Sequence, residues 1–73
     1  MNRAEHLDWC KERALEYVEA GDLANAMASM VSDLGKHEDT AALVHNTVLM
    51  QLGMRAVVQG DEHGVRRWIE GFN

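Results

Sequence analysis

The chain contains no proline and a single cysteine. Without proline, no helix carries a built-in break and every residue keeps its backbone N–H for hydrogen bonding. With one cysteine no intramolecular disulfide can form, a composition suited to a reducing compartment. Continuous hydrophobicity is also scarce. The longest apolar stretch is broken by His45, Asn46, Gln51 and Arg55, so no transmembrane span is expected. Met1 to Glu12 mixes charges throughout and shows no apolar h-region, so no secretory leader is expected either. Basic charge is in short supply, with seven Lys and Arg against twelve Asp and Glu and a formal net charge of −5. That sign disfavours binding to a phosphate backbone. It favours meeting a basic surface, although the same charge also serves plain solubility.

What is present is a helical pattern. Seventy-three residues make one domain, residues 1–73, near the size at which a single core only just suffices. A hydrophobic fraction of 47% separates it from a disordered tail. Asn2-x-x-Glu5 predicts a capping box at the start of a first helix. Leu7, Cys10, Ala14, Tyr17 and Val18 give that helix one apolar stripe, and Gly21 ends it. Asp22 caps a second helix with the stripe Leu23, Ala26, Met27, Met30, Val31 and Leu34, stopped by Gly35. Lys36 to Thr40 reads as the main loop, with Asp39 or Thr40 as the next cap. A third helix is expected from about Ala41 to Gln59, apolar all round its axis, hence central or covered by a partner on its second face. Gly60-Asp61 repeats the glycine-stop, aspartate-start pair, and Val65, Trp68, Ile69 and Phe72 make one face of a short fourth helix.

The expected fold is therefore all-α, a small bundle of about four helices arranged as two helical hairpins. Its two Gly-Asp corners lie thirty-nine residues apart. Ala14, Tyr17, Gly21 and Ala26, then Gly53, Gly60, Val65 and Ile69, stand where a tetratricopeptide-type hairpin would place them. Arg13, Asp33 and Glu38 depart from that pattern, so the likeness is one of packing.

Several stretches also resemble short uncharacterised proteins encoded by actinobacterial tailed phages. They are Arg3-Ala4-Glu5-His6-Leu7, Ala14-Leu15-Glu16-Tyr17, Ala20-Gly21-Asp22, Ser32-Asp33-Leu34-Gly35-Lys36-His37 and the closing Ile69-Glu70-Gly71-Phe72-Asn73. The resemblance implies a phage accessory protein working in the cytoplasm of the bacterial host. Its motifs are caps, stripes and a terminal aromatic, and it carries no catalytic residue across.

Candidate sites are few. His6 and Cys10, four apart on helix 1, have chelating spacing, and a zinc site would need two more ligands, for which His37 and His45 are candidates. The competing role is a partly buried thiol beside a surface histidine. Cys10 as a nucleophile would need an electropositive surround, whereas Glu5, Asp8 and Glu12 raise a thiol pKa. Glu62 and His63, about 100° apart on a helix, cannot act together on one atom and suit a helix first turn. No catalytic, cofactor-binding or metal residue is assigned, and no enzyme activity is expected.

Glu5, Asp8, Glu12, Glu16 and Glu19 form an acidic stripe on helix 1. This is either a solvated face or a docking face for a host or phage protein with a basic surface. Arg66 and Arg67 beside Trp68 give a poor nucleic-acid footprint and more simply balance Asp61, Glu62 and Glu70. Met27, Met30, Met50 and Met54 are expected in the core. The apolar surplus of Leu43 to Val58 points to a homodimer through that helix. The function expected is a protein–protein interaction module. The alternative is a helix-turn-helix regulator, for which helix 2 offers only Asn25 and Ser29 as base-reading groups.

Overall fold

A computed structural model describes residues 1–73 and is built from helices alone. Five α-helices follow one another: α1 (Arg3–Glu19), α2 (Leu23–Leu34), α3 (Glu38–Ala41), α4 (Thr47–Val58) and α5 (Glu62–Glu70), with a 3-10 turn (Ala42–His45) between α3 and α4.

The helix ends form as their residues dictate. The Asn2 side chain accepts the Glu5 N–H at 2.8 Å while the Glu5 carboxylate accepts the Asn2 N–H at 3.2 Å, which completes the capping box. At the first corner Gly21 takes φ +77°, the left-handed conformation that spares a Cβ. The Asp22 N–H then reaches the Tyr17 carbonyl and the Gly21 N–H the Val18 carbonyl, both at 2.9 Å. The same pair of reverse bonds recurs at Gly60 (φ +65°), from Asp61 to Ala56 and from Gly60 to Val57. Each aspartate then caps the next helix, Asp22 on the Asn25 N–H and Asp61 on the Gly64 N–H.

Between the corners the chain departs from the expected pattern. Neither a five-residue loop nor one helix from Ala41 to Gln59 is formed. His37 is the N-cap of α3, its Nδ1 accepting the Asp39 N–H at 3.1 Å, in place of Asp39 or Thr40. The Thr40 hydroxyl, fully buried, donates to the Leu34 carbonyl at 2.6 Å and pins α3 to the end of α2. Asn46 then adopts an extended backbone (φ −79°, ψ 100°), and its side chain accepts the Leu49 N–H at 3.1 Å. An asparagine that bonds its own downstream backbone competes with helix continuation and starts a new helix instead. The two halves bend by 72° at this point. The count of about four helices in two simple hairpins is corrected accordingly. The α1–α2 and α4–α5 corners are present, but α3 and its 3-10 turn form a further helical unit between them.

α2 and α5 pack against each other, and both touch α1 and α4, so they form the middle of the molecule. The core joins Cys10, Ala14 and Val18 of α1 to Met30 and Leu34 of α2 and Val65 and Ile69 of α5, with Phe72 closing one end. Burying a Leu or Ile side chain stabilises the fold by about 1.5–3 kcal/mol. The termini are tied as well: Arg3 donates to the Asn73 carbonyl and Lys11 to the Glu70 carbonyl. No single helix is long and apolar enough to cross a bilayer.

Candidate functional site

The most heavily bonded side-chain cluster lies between α1 and α2 and centres on a residue that the spacing of motifs does not single out. Asp33 is buried; its carboxylate accepts the Arg13 Nε–H at 2.7 Å and the Lys36 ammonium at 2.9 Å. Burial works to raise the Asp33 carboxyl, but the hydrogen bonds from Lys36 and Arg13 outweigh it and hold it below the usual range. The backbone carbonyl of Asp33 accepts from His6 Nε2 at 2.8 Å, which assigns the imidazole proton to Nε2. Trp9 lies under the Arg13 guanidinium at 4.8 Å and stacks against the His6 ring, whose other neighbour is the His37 ring at 5.0 Å. A helical signal for this was available, since Asp33 continues the Ala26–Met30 stripe and so faces inward.

His6 and Cys10 do come together, with Nε2 3.4 Å from the sulfur. No group of three or more His, Cys, Asp or Glu side chains is placed to hold a metal ion, and His45 is exposed. His6 itself is buried, not on the surface. The Cys10 thiol is pushed up to about 11, first by burial and second by the Asp33 charge. The acids that the sequence suggested for this effect are not its source: Glu5, Asp8 and Glu12 are all exposed. A thiol of this kind stays protonated at neutral pH and is a poor nucleophile. The cluster is thus a lock between α1 and α2, with every buried polar side-chain atom satisfied.

The acidic stripe is on the surface, with Glu5, Asp8, Glu12, Glu16 and Glu19 all exposed. Its two ends are engaged. Glu5 belongs to the capping box, and Glu19 accepts Arg66 of α5 at 3.0 Å. The carboxylates of Asp8, Glu12 and Glu16 make no hydrogen bond or ion pair within the chain. Arg66 therefore serves α1, and the expected balance of Arg66 and Arg67 with Asp61, Glu62 and Glu70 does not form. Glu62 and His63 are exposed in the first turn of α5. The base-reading groups proposed for helix 2 are committed locally, Asn25 to the Asp22 carboxylate at 2.6 Å and Ser29 toward Asp33.

α4 is peripheral, not central. It buries only Gly53 and Ala56; Trp68 of α5 occupies the space over Gly53 and donates its indole N–H to the Leu49 carbonyl at 2.9 Å. The outward arc of α4 leaves Val48 67%, Leu52 55%, Met54 52% and Val58 77% exposed. Met54 is thus outside the core, whereas Met30 is fully inside. A shallow depression runs along each side of this arc. One of about 410 Å³ is walled by Met27, Val44, Met50 and Met54. The other, of similar volume, lies between α4 and α5.

No family model, curated protein or solved structure matches the chain.

Proposed function

We propose that this protein is a protein–protein interaction module that self-associates through α4 and presents its acidic α1 face to a partner with a basic surface. The observation that carries the proposal is the outward arc of α4, where Val48, Leu52, Met54 and Val58 are all more than half exposed. Four exposed apolar side chains on one helix of so small a chain, with Gln51 and Arg55 exposed between them, suit a contact surface. A second copy is the occupant that charge favours. α4 contains no acidic residue in a chain of net charge −5, so two copies approach there with least repulsion. Such an approach leaves the unpaired carboxylates of Asp8, Glu12 and Glu16 free on α1, on the far side of the α2–α5 layer. These acids would bind Lys and Arg of a host or phage protein in the cytoplasm of an infected actinobacterial cell, the setting that the sequence resemblance implies.

Sedimentation velocity over a range of concentrations tests the self-association. The wild type is expected to reach a dimer, and Val48→Asp with Val58→Lys is expected to stay monomeric with unchanged helical content. Those charges suit the helix dipole at each end, so the helix itself is not penalised. A wild type that remains monomeric into the millimolar range would remove this part of the proposal.

A further inference from the structure

The cations of this chain are almost all spent internally. Arg3 and Lys11 bond to backbone carbonyls, Arg13 and Lys36 to Asp33, and Arg66 to Glu19. Of the seven Lys and Arg side chains, only those of Arg55 and Arg67 make no hydrogen bond or ion pair within the chain. These two come from different helices and line the same depression of about 410 Å³ between α4 and α5. Leu52, Ala56 and Trp68 supply its apolar wall, and Asp61 lines it too, with one carboxylate oxygen already capping α5.

We infer that this groove is a docking site for a short acidic peptide segment of a partner protein, one that presents carboxylates beside an apolar side chain. A guanidinium offers paired N–H donors in the plane that a carboxylate matches, and two from separate helices fix a ligand's direction as well as its charge. The apolar wall takes the neighbouring side chain, and the volume is in the range that receives a few residues. Asp61 sets the class of anion. Two guanidiniums against one carboxylate leave a small positive excess, enough for a carboxylate and poor for the denser charge of a phosphate. The rest of this acidic molecule repels a nucleic-acid backbone further. None of the groove residues belongs to the acidic stripe. The site is separate from the basic-partner face, and it adds a second polarity of recognition to the module.

The test is a titration of ¹⁵N-labelled protein with the blocked tripeptide acetyl-Glu-Leu-Glu-amide, followed at the Trp68 indole N–H and the arginine Nε–H signals. It is run on the wild type and on the Val48→Asp, Val58→Lys background, whose substituted positions do not line the groove, so that failure of self-association leaves this result standing. A saturable shift is expected on both, weakened roughly tenfold or more in Arg55→Gln with Arg67→Gln, as loss of charge-assisted bonds requires. Both arginines are exposed, and the Trp68 N–H bonded to Leu49 reports that the variant remains folded. Retention of binding after Asp8→Asn, Glu12→Gln and Glu16→Gln would separate the groove from the stripe. The inference is overturned by the absence of a saturable shift, or by an equal response to acetyl-Gln-Leu-Gln-amide or to inorganic phosphate. Leu52 belongs to the self-association arc as well as to the groove, so shifts with protein concentration are read on the Val48→Asp, Val58→Lys background, where they would overturn the inference by giving the groove to a second copy.

Discussion

The indole of Trp68 fills the place that a side chain at position 53 would need: a Cβ built on Gly53 would stand 2.6 Å from the ring. That closeness, with the indole N–H bonded to the Leu49 carbonyl, is what holds α4 to α5. Gly53→Ala removes a poor helix former and on propensity alone would add about 1 kcal/mol of stability. The clash reverses the sign, because an inserted methyl against a packed ring costs about 1–3 kcal/mol. Urea unfolding is expected to show the alanine variant as the less stable one, and a stabilised variant would mean that the indole moves aside freely.

The Asp33 lock makes stability depend on acid. Its carboxyl lies below the ordinary value in the folded state, so its contribution is present above the unfolded pKa of about 3.9 and fades as pH falls through the folded value. Arg13 and Lys36 are half exposed and return to water when the partner is lost, so the loss is modest. Asp33→Asn is expected to cost about 1–2 kcal/mol at pH 7, within the range for a buried polar group that loses its partners. The penalty should shrink toward pH 3, as followed by thermal unfolding at stepped pH.

Cys10 should be chemically silent in the folded protein. Its thiol is fully buried and pushed up to about 11, so a disulfide reagent at pH 7.5 is expected to label it only as fast as the chain opens. Labelling in urea should be orders of magnitude faster, since an exposed thiol near its ordinary pKa of about 8.5 supplies far more thiolate. Prompt native labelling would contradict the burial.

The break before α4 rests on Asn46. Asn46→Ala removes the cap on Leu49 and should cost about 1 kcal/mol. Amide exchange provides the local check, with protection expected to fall first at Leu49 and Met50, whose N–H groups bond to Asn46, while α1 keeps its own.

The two glycine corners were legible in the sequence because they are local. Gly21-Asp22 and Gly60-Asp61 each need only a left-handed residue followed by a capping side chain, and both requirements are met within a few residues of chain. The capping box at Asn2 and the buried stripes of α1 and α2 are of the same kind, except that Tyr17, expected on the α1 stripe, is exposed. Asn46 was missed because the apolar residues around it continue on both sides, and hydrophobic period alone does not say where a polar side chain turns back on its own backbone. Of the proposed acidic site, the positions were legible and the occupancy was not. Glu5, Asp8, Glu12, Glu16 and Glu19 share a face by helical geometry alone, but the pairing of Glu19 with Arg66 spans forty-seven residues.

By itself, then, the sequence determined that this chain is helical, where most of its helices start and stop, and which stripe each of the first two turns inward. Those outcomes follow from caps, turns and a period of 3.6 residues, all of which act over one or two turns of chain. Only the tertiary structure decided that Asp33 is a buried anchor, that the most apolar helix is peripheral, and that Arg55 and Arg67 are the cations left without partners. Each of these depends on which residue from a distant helix arrives to fill a space or satisfy a charge. Trp68 over Gly53 is the plainest case: a side chain of α5 lies against the inner side of α4, while Val48, Leu52, Met54 and Val58 stay exposed on its outer side.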